Sequence, residues 1–125
     1  MPAIAWAGLI FALSAQPDLR ISPDQALDFV LRKAAHMAVF GILALLIWRA
    51  IATTTASPRH WLAALVLTVA YAVTDELHQG FVAGRHPSPI DVAIDAAGAT
   101  IALAVAGSIA SRRAARHARV RSATR

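Results

Sequence analysis

The residues most able to do chemistry lie in one stretch and its sequel: Asp75, Glu76, His78, Gln79 and Arg85, then Asp91 and Asp95. Lys33 and His36 form a second, smaller group upstream. Carboxylates accept hydrogen bonds and protons, histidine exchanges a proton near neutral pH, and arginine grips phosphate or carboxylate through two parallel hydrogen bonds. Such a set suits binding of an anionic group, or acid–base work upon one. The setting sharpens the point, because these residues end or interrupt long apolar runs. An ionisable side chain inside a membrane span costs on the order of 3 kcal/mol by insertion scales, so each is a functional candidate by default.

Composition agrees with that setting. Of 125 residues 58% are hydrophobic and 15% charged, whereas soluble domains have about 45–50% apolar and about 25% charged residues. An all-α, polytopic membrane protein is expected, as one compact bundle spanning residues 1–110 with an Arg-rich tail at 111–125. There is no cysteine, which excludes disulfides, thiolate metal sites and thiol nucleophiles.

Four helices must position the polar residues. Ala3 to Ala15 is an apolar run of about 20 Å as a helix, short against a hydrocarbon core of about 30 Å. Ala12-Leu-Ser14 resembles a signal-peptide cleavage site, but no Lys or Arg precedes the run, which favours a retained helix. Ser22-Pro23-Asp24-Gln25 reads as a helix start with Ser22 as N-cap. The second helix then runs to about Ile51, with Asp24, Asp28 and Arg32 at the interface and Trp48-Arg49 at the far boundary. Ser57-Pro58 starts a third helix that leads into the Asp75 motif, and Gly80 and Gly84 loosen the chain after it. Ser88-Pro89-Ile90-Asp91 starts the fourth, which spans Ile90 to about Ile109 and presents Gly98, Ala102 and Ala106 as a small-residue face for close helix contact.

Basic residues set the orientation. With both termini cytoplasmic, Arg49, Arg59 and the six arginines from Arg112 to Arg125 lie inside, while Arg20, Arg32, Lys33 and Arg85 lie outside. Eight against four follows the positive-inside rule. At about 1.5 Å per residue, Asp75, His78, Lys33, His36, Asp95 and Asp91 then all fall in the outer leaflet, at heights of about 18 to 31 Å above the inner boundary. Lys33 and His36 share a face of their helix, as do Asp75, His78 and Gln79, and Asp91 and Asp95.

Lys33-Ala-Ala-His36-Met-Ala-Val-Phe40, Asp75-Glu76-Leu-His78-Gln79-Gly-Phe81 and Arg85…Ser88-Pro-Ile-Asp91…Asp95-Ala-Ala-Gly98 together resemble the three motifs of the VanZ-like membrane proteins, in order and spacing. Phe40 stands where that family usually has tyrosine, and Asp95 where it usually has asparagine. The resemblance implies a multi-pass protein of the bacterial cytoplasmic membrane. It also implies a link to the cell envelope and to glycopeptide resistance, since the founding member is associated with resistance to teicoplanin.

Each candidate has a structural reading beside the functional one. Lys33 either snorkels to the interface or serves as a cation for Asp75 or an anionic ligand. His36 is a buried structural histidine or a site member. Asp75, rather than Glu76, is the one expected to face inward, as an ion-pair partner of Lys33 or Arg85 or as a site residue. Asp91 can close a capping box with Ser88, an explanation that does not extend to Asp95, one turn deeper. Arg85 is a solvated loop charge or a cation that clamps a headgroup.

No metal and no cofactor are expected. His-Glu-x-x-His is absent, and Lys33 and Arg85 would repel a dication. The tail, with six arginines and no acid, suits anionic lipid headgroups, and no nucleic-acid partner is expected. The leading expectation is therefore an outward-facing polar pocket, with Lys33, His36, His78 and Arg85 on its cationic side and Asp75, Glu76 and Asp95 on its acidic side. Its partner would be an anionic amphiphile: a membrane lipid, a lipid-linked envelope component or a glycopeptide antibiotic. The alternative is a membrane-embedded enzyme acting on a lipid headgroup, with His78 or Asp75 as general base.

Overall fold

The computed structural model describes residues 1–16, 21–52 and 57–123. They form four helices and no strand: α1 (Pro2–Ser14), α2 (Gln25–Ile51), α3 (Pro58–Gln79) and α4 (Pro89–Ala123). The all-helical expectation holds. The connection expected between the first two helices lies partly outside the described residues, as does most of the loop between α2 and α3.

Local chemistry explains most of the boundaries. Ser57 caps α3, its hydroxyl oxygen accepting from the Arg59 N–H at 3.2 Å, with proline next in line. For α2 the sequence reading needs correcting. The cap is Asp24, whose carboxylate accepts from the Leu27 N–H at 2.9 Å, while the Ser22 hydroxyl oxygen accepts from the Asp24 N–H one step earlier. An acid fits here because it meets both the free N–H groups and the positive end of the helix dipole. Asp28 also departs from expectation: it is buried, and it holds the incoming chain by accepting from the N–H groups of Ile21 and Ser22 at 2.6 and 3.1 Å. Its other oxygen pairs with Arg32 at 3.0 Å.

The helices pack with α2 at the centre, most extensively against α4 and also against α3. Gly98 makes the α2–α4 contact feasible. A Cβ there would lie 2.3 Å from the Met37 carbonyl oxygen, so only glycine permits this approach. One apolar cluster joins Ile10, Phe40, Leu43 and Ala72; a second joins Ala44, Ala64, Ala99 and Leu103. The second consists mostly of alanine, which keeps α2, α3 and α4 close together. Trp6 and Tyr71 fasten α1 across these clusters. The Trp6 indole donates to the Val39 carbonyl at 2.9 Å, and the Tyr71 hydroxyl donates to the Ala7 carbonyl at 2.6 Å.

α2 and α4 are each long and apolar enough to cross a membrane. α1 has 13 residues, and α3 has 22 but spends its last turn on Asp75, Glu76 and His78. α4 also outruns its expected end near Ile109. It stays helical to Ala123, which makes the Arg-rich tail a continuation of the same rod.

Candidate functional site

α2 and α4 face one another through two rungs, a lysine–aspartate ion pair and a histidine–aspartate contact. Lys33 donates to Asp91 in a close contact, and one turn on His36 Nδ1 lies 3.2 Å from Asp95 Oδ1. The steps match: three residues on α2 and four on α4, each about one helical turn, so consecutive rungs stack on the same pair of faces. Asp95 is 2% exposed, so burial leaves His36 as its neighbour within hydrogen-bonding distance.

Lys33 therefore neither snorkels free nor serves Asp75. Asp91 does not close the capping box either. The Ser88 N–H that such a box would use donates instead to Glu76 Oε1 at 2.6 Å. A carboxylate from α3 thus satisfies the start of α4, and Asp91 is left to meet Lys33.

The second cluster ties α1, α3 and the loop after it. Asp75 Oδ2 accepts from the Ser14 hydroxyl at 2.8 Å and from the Gln79 side-chain amide at 3.0 Å. Gln79 Oε1 in turn accepts from Arg85 Nη1 at 2.8 Å. Arg85 is thereby held in place by a neutral amide, and Asp75 is reached by donors other than Lys33 and Arg85. The ion pair expected for Asp75 is replaced by neutral partners. Asp75 does face inward, at 2% exposure, but Glu76 is buried as well. The loop bends back through Gly84, whose φ of 79° lies in the left-handed region open to glycine.

His78 is placed differently from expectation. Its ring stacks on Phe11 of α1, centroids 4.0 Å apart, and its Nε2 is buried with no hydrogen-bond partner among the described residues. Asp75 Oδ1 is likewise buried and, among the described residues, unpartnered. His78 and Asp75, each a candidate general base from the sequence, are not hydrogen-bonded to one another among the described residues. The histidine that does have a carboxylate beside it is His36, with Asp95.

The two clusters meet at a cavity of about 110 Å³ whose lining includes Ile10, Leu13, Ser14, His36, Phe40 and Arg85. His36 comes from the ladder; Ser14 and Arg85 come from the Asp75 chain. The other expected site residues are not in this lining: Lys33, Asp91 and Asp95 lie along the α2–α4 seam, and Asp75, Glu76 and Gln79 lie in α3. The lining is largely apolar, in place of the evenly mixed basin expected from the charges. Phe40, fully buried, fills the place where a tyrosine would bring a hydroxyl. Among the described residues no three His, Asp or Glu side chains converge as ligands for a metal ion.

Sequence reasoning missed Ser14, the α1 contribution to the site. Its signal is faint: one hydroxyl at the end of an apolar run. The class that emerges is an all-helical protein with the marks of a membrane protein, two helices of crossing length with an ion pair and a histidine–carboxylate contact between them. The chain belongs to the VanZ/LLP1 family, whose model matches residues 2–110. No curated protein sequence and no solved structure matches it.

Proposed function

We propose that this chain is a four-span protein of the bacterial cytoplasmic membrane, both termini cytoplasmic, whose outward-facing site binds the anionic headgroup of a lipid-linked amphiphile. Its exterior supports the membrane reading. Large apolar side chains point outward from all four helices: Ile4 on α1, Val30 on α2, Val66 on α3 and Ile101 on α4 are each more than half exposed. The interior holds Ser14, Asp28, Thr68, Asp75, Glu76, Gln79 and Asp95. Apolar outside and polar inside is the arrangement that a hydrocarbon solvent favours.

The observation that carries the binding reading is the convergence of Arg85 and His36 on one cavity otherwise lined, Ser14 apart, by aliphatic and aromatic side chains. A guanidinium recognises phosphate or carboxylate through paired hydrogen bonds, and the apolar wall accepts the first methylenes of a chain. Size selects among amphiphiles. At about 110 Å³ the cavity falls below the roughly 300–1,000 Å³ that encloses a drug-sized ligand. It admits a single anionic group and leaves a whole glycopeptide outside, so a lipid-linked envelope component fits better than the antibiotic itself. Resistance to teicoplanin would then follow from holding an envelope precursor. Native mass spectrometry of the protein in mild detergent tests this. A co-purified anionic amphiphile should disappear in Arg85→Ala; its persistence there would remove Arg85 from the site.

One observation favours an enzymatic second reading: His36 lies beside Asp95 and lines the same cavity, as a general base oriented by a carboxylate does. The pair is His36 with Asp95, in place of His78 or Asp75. Comparison of lipid extracts from cells carrying the chain or its His36→Ala variant separates the readings. A headgroup change dependent on His36 indicates chemistry, and identical extracts indicate binding alone.

A further inference from the structure

At the opposite end of the bundle lies a larger cavity, about 410 Å³, whose lining includes Trp48, Ser57, Trp61, Gly107 and Ser111. The Trp48 indole N–H is buried and, among the described residues, has no hydrogen-bond partner. Such a donor, cut off from water, is out of place unless an acceptor comes to it. The surrounding charge identifies the acceptor's sign. Arg49 follows Trp48, Arg59 falls between Ser57 and Trp61, and Arg112 and Arg113 fall between Ser111 and Ala114, another lining residue. All four arginines are exposed. No Asp or Glu occurs between Asp28 and Asp75 or after Asp95, so this end of the molecule is cationic throughout. Leu62 and Val66 on α3 and Val105 and Ile109 on α4 expose an apolar surface leading away from it.

We propose that this cavity is a binding site for one anionic glycerophospholipid of the cytoplasmic leaflet. Its phosphodiester accepts from the Trp48 indole and is surrounded by the arginines, while its acyl chains lie along the exposed faces of α3 and α4. The inference rests on the membrane reading above but is independent of the Arg85 site. Paired tryptophans at a membrane boundary have the right form for the task, an apolar ring with one donor. The site goes beyond general attraction of a basic tail to headgroups, since it assigns a particular donor and a particular cleft.

The test is native mass spectrometry of the full chain, mixed in neutral detergent with equal amounts of phosphatidylglycerol and phosphatidylcholine of identical acyl chains. One phosphatidylglycerol, net anionic, should be retained over zwitterionic phosphatidylcholine by about tenfold, the scale of one charge-assisted contact with the arginines. Trp48→Phe, which keeps an aromatic ring and removes the donor, should weaken retention of both lipids by about tenfold, since both carry the phosphodiester. Arg59→Gln combined with Arg112→Gln should abolish the preference, whereas Arg85→Ala should keep it, which separates this site from the outer one. Circular dichroism confirms that each variant is helical. Equal retention of the two lipids by wild type, retention unchanged in Trp48→Phe, a preference unchanged in the double variant, or displacement by inorganic phosphate would overturn the proposal.

Discussion

Ser14 donates the hydrogen bond that joins α1 to the buried carboxyl of Asp75. Asp75 already has one buried oxygen without a partner, so losing a donor to the other leaves that group further undersatisfied. A buried polar atom stripped of its partner costs about 1–3 kcal/mol. Ser14→Ala should therefore lower the melting temperature in detergent by that equivalent, and Ser14→Thr, which keeps a hydroxyl, should recover most of it. Equal melting temperatures for wild type and Ser14→Ala would mean that Asp75 takes its support elsewhere. Ser14 also shows where sequence reading stops at this scale. The chemistry of Lys33, His36, Asp91 and Asp95 is visible from their cost in an apolar environment, whereas one serine in an apolar run carries no such signal. Its role depends on which α3 residue it meets, and that is fixed only by packing.

Between elements, the decisive quantity is the rotation of α2 against α4. Spacing of three residues on one helix and four on the other already gave each pair a common face, but not which acid meets which cation. Close approach at Gly98 sets that pairing, and with it the ladder Lys33–Asp91 and His36–Asp95. Gly98→Ala drives a methyl group into the backbone of Met37, so it should destabilise the bundle by about 1–3 kcal/mol, the usual cost of overpacking. Gly107→Ala, on the same helix with nothing within 4 Å of the new Cβ, should be neutral or stabilising by up to about 1 kcal/mol. Thermal unfolding of the two variants side by side checks this, and similar melting temperatures would show that α2 and α4 are not in intimate contact. The start of α4 makes the same point about packing: Ser88 and Asp91 have the spacing of a capping box, yet Glu76 from α3 takes the Ser88 N–H and frees Asp91 for Lys33.

For the molecule as a whole, the number of helices and, except at the end of α4, their approximate limits follow from apolar runs and proline starts. The internal polar chain from Ser14 through Asp75 and Gln79 to Arg85 requires the fold. The segregation of charge, with acids at one end and the densest arginine cluster at the other, gives the orientation a direct test. Because the chain has no cysteine, a single engineered thiol reports its own side of the membrane. His86→Cys, in the loop beside Arg85, should react with a membrane-impermeant maleimide in intact spheroplasts. Arg116→Cys, in the helical tail, should react only after permeabilisation. The opposite pattern would invert the bundle and place the Arg85 cavity on the cytoplasmic side.

The central claim is that Arg85 and His36 share one small cavity that takes the anionic end of a lipid. Titration calorimetry of the purified protein with a long-chain isoprenyl phosphate, in neutral detergent, measures it directly. Saturable one-to-one binding should weaken by about tenfold or more in Arg85→Gln, in keeping with loss of a charge-assisted pair, while the corresponding uncharged isoprenyl alcohol should bind no better to wild type than to the variant. Equal affinity of wild type and Arg85→Gln for the phosphate would contradict the account.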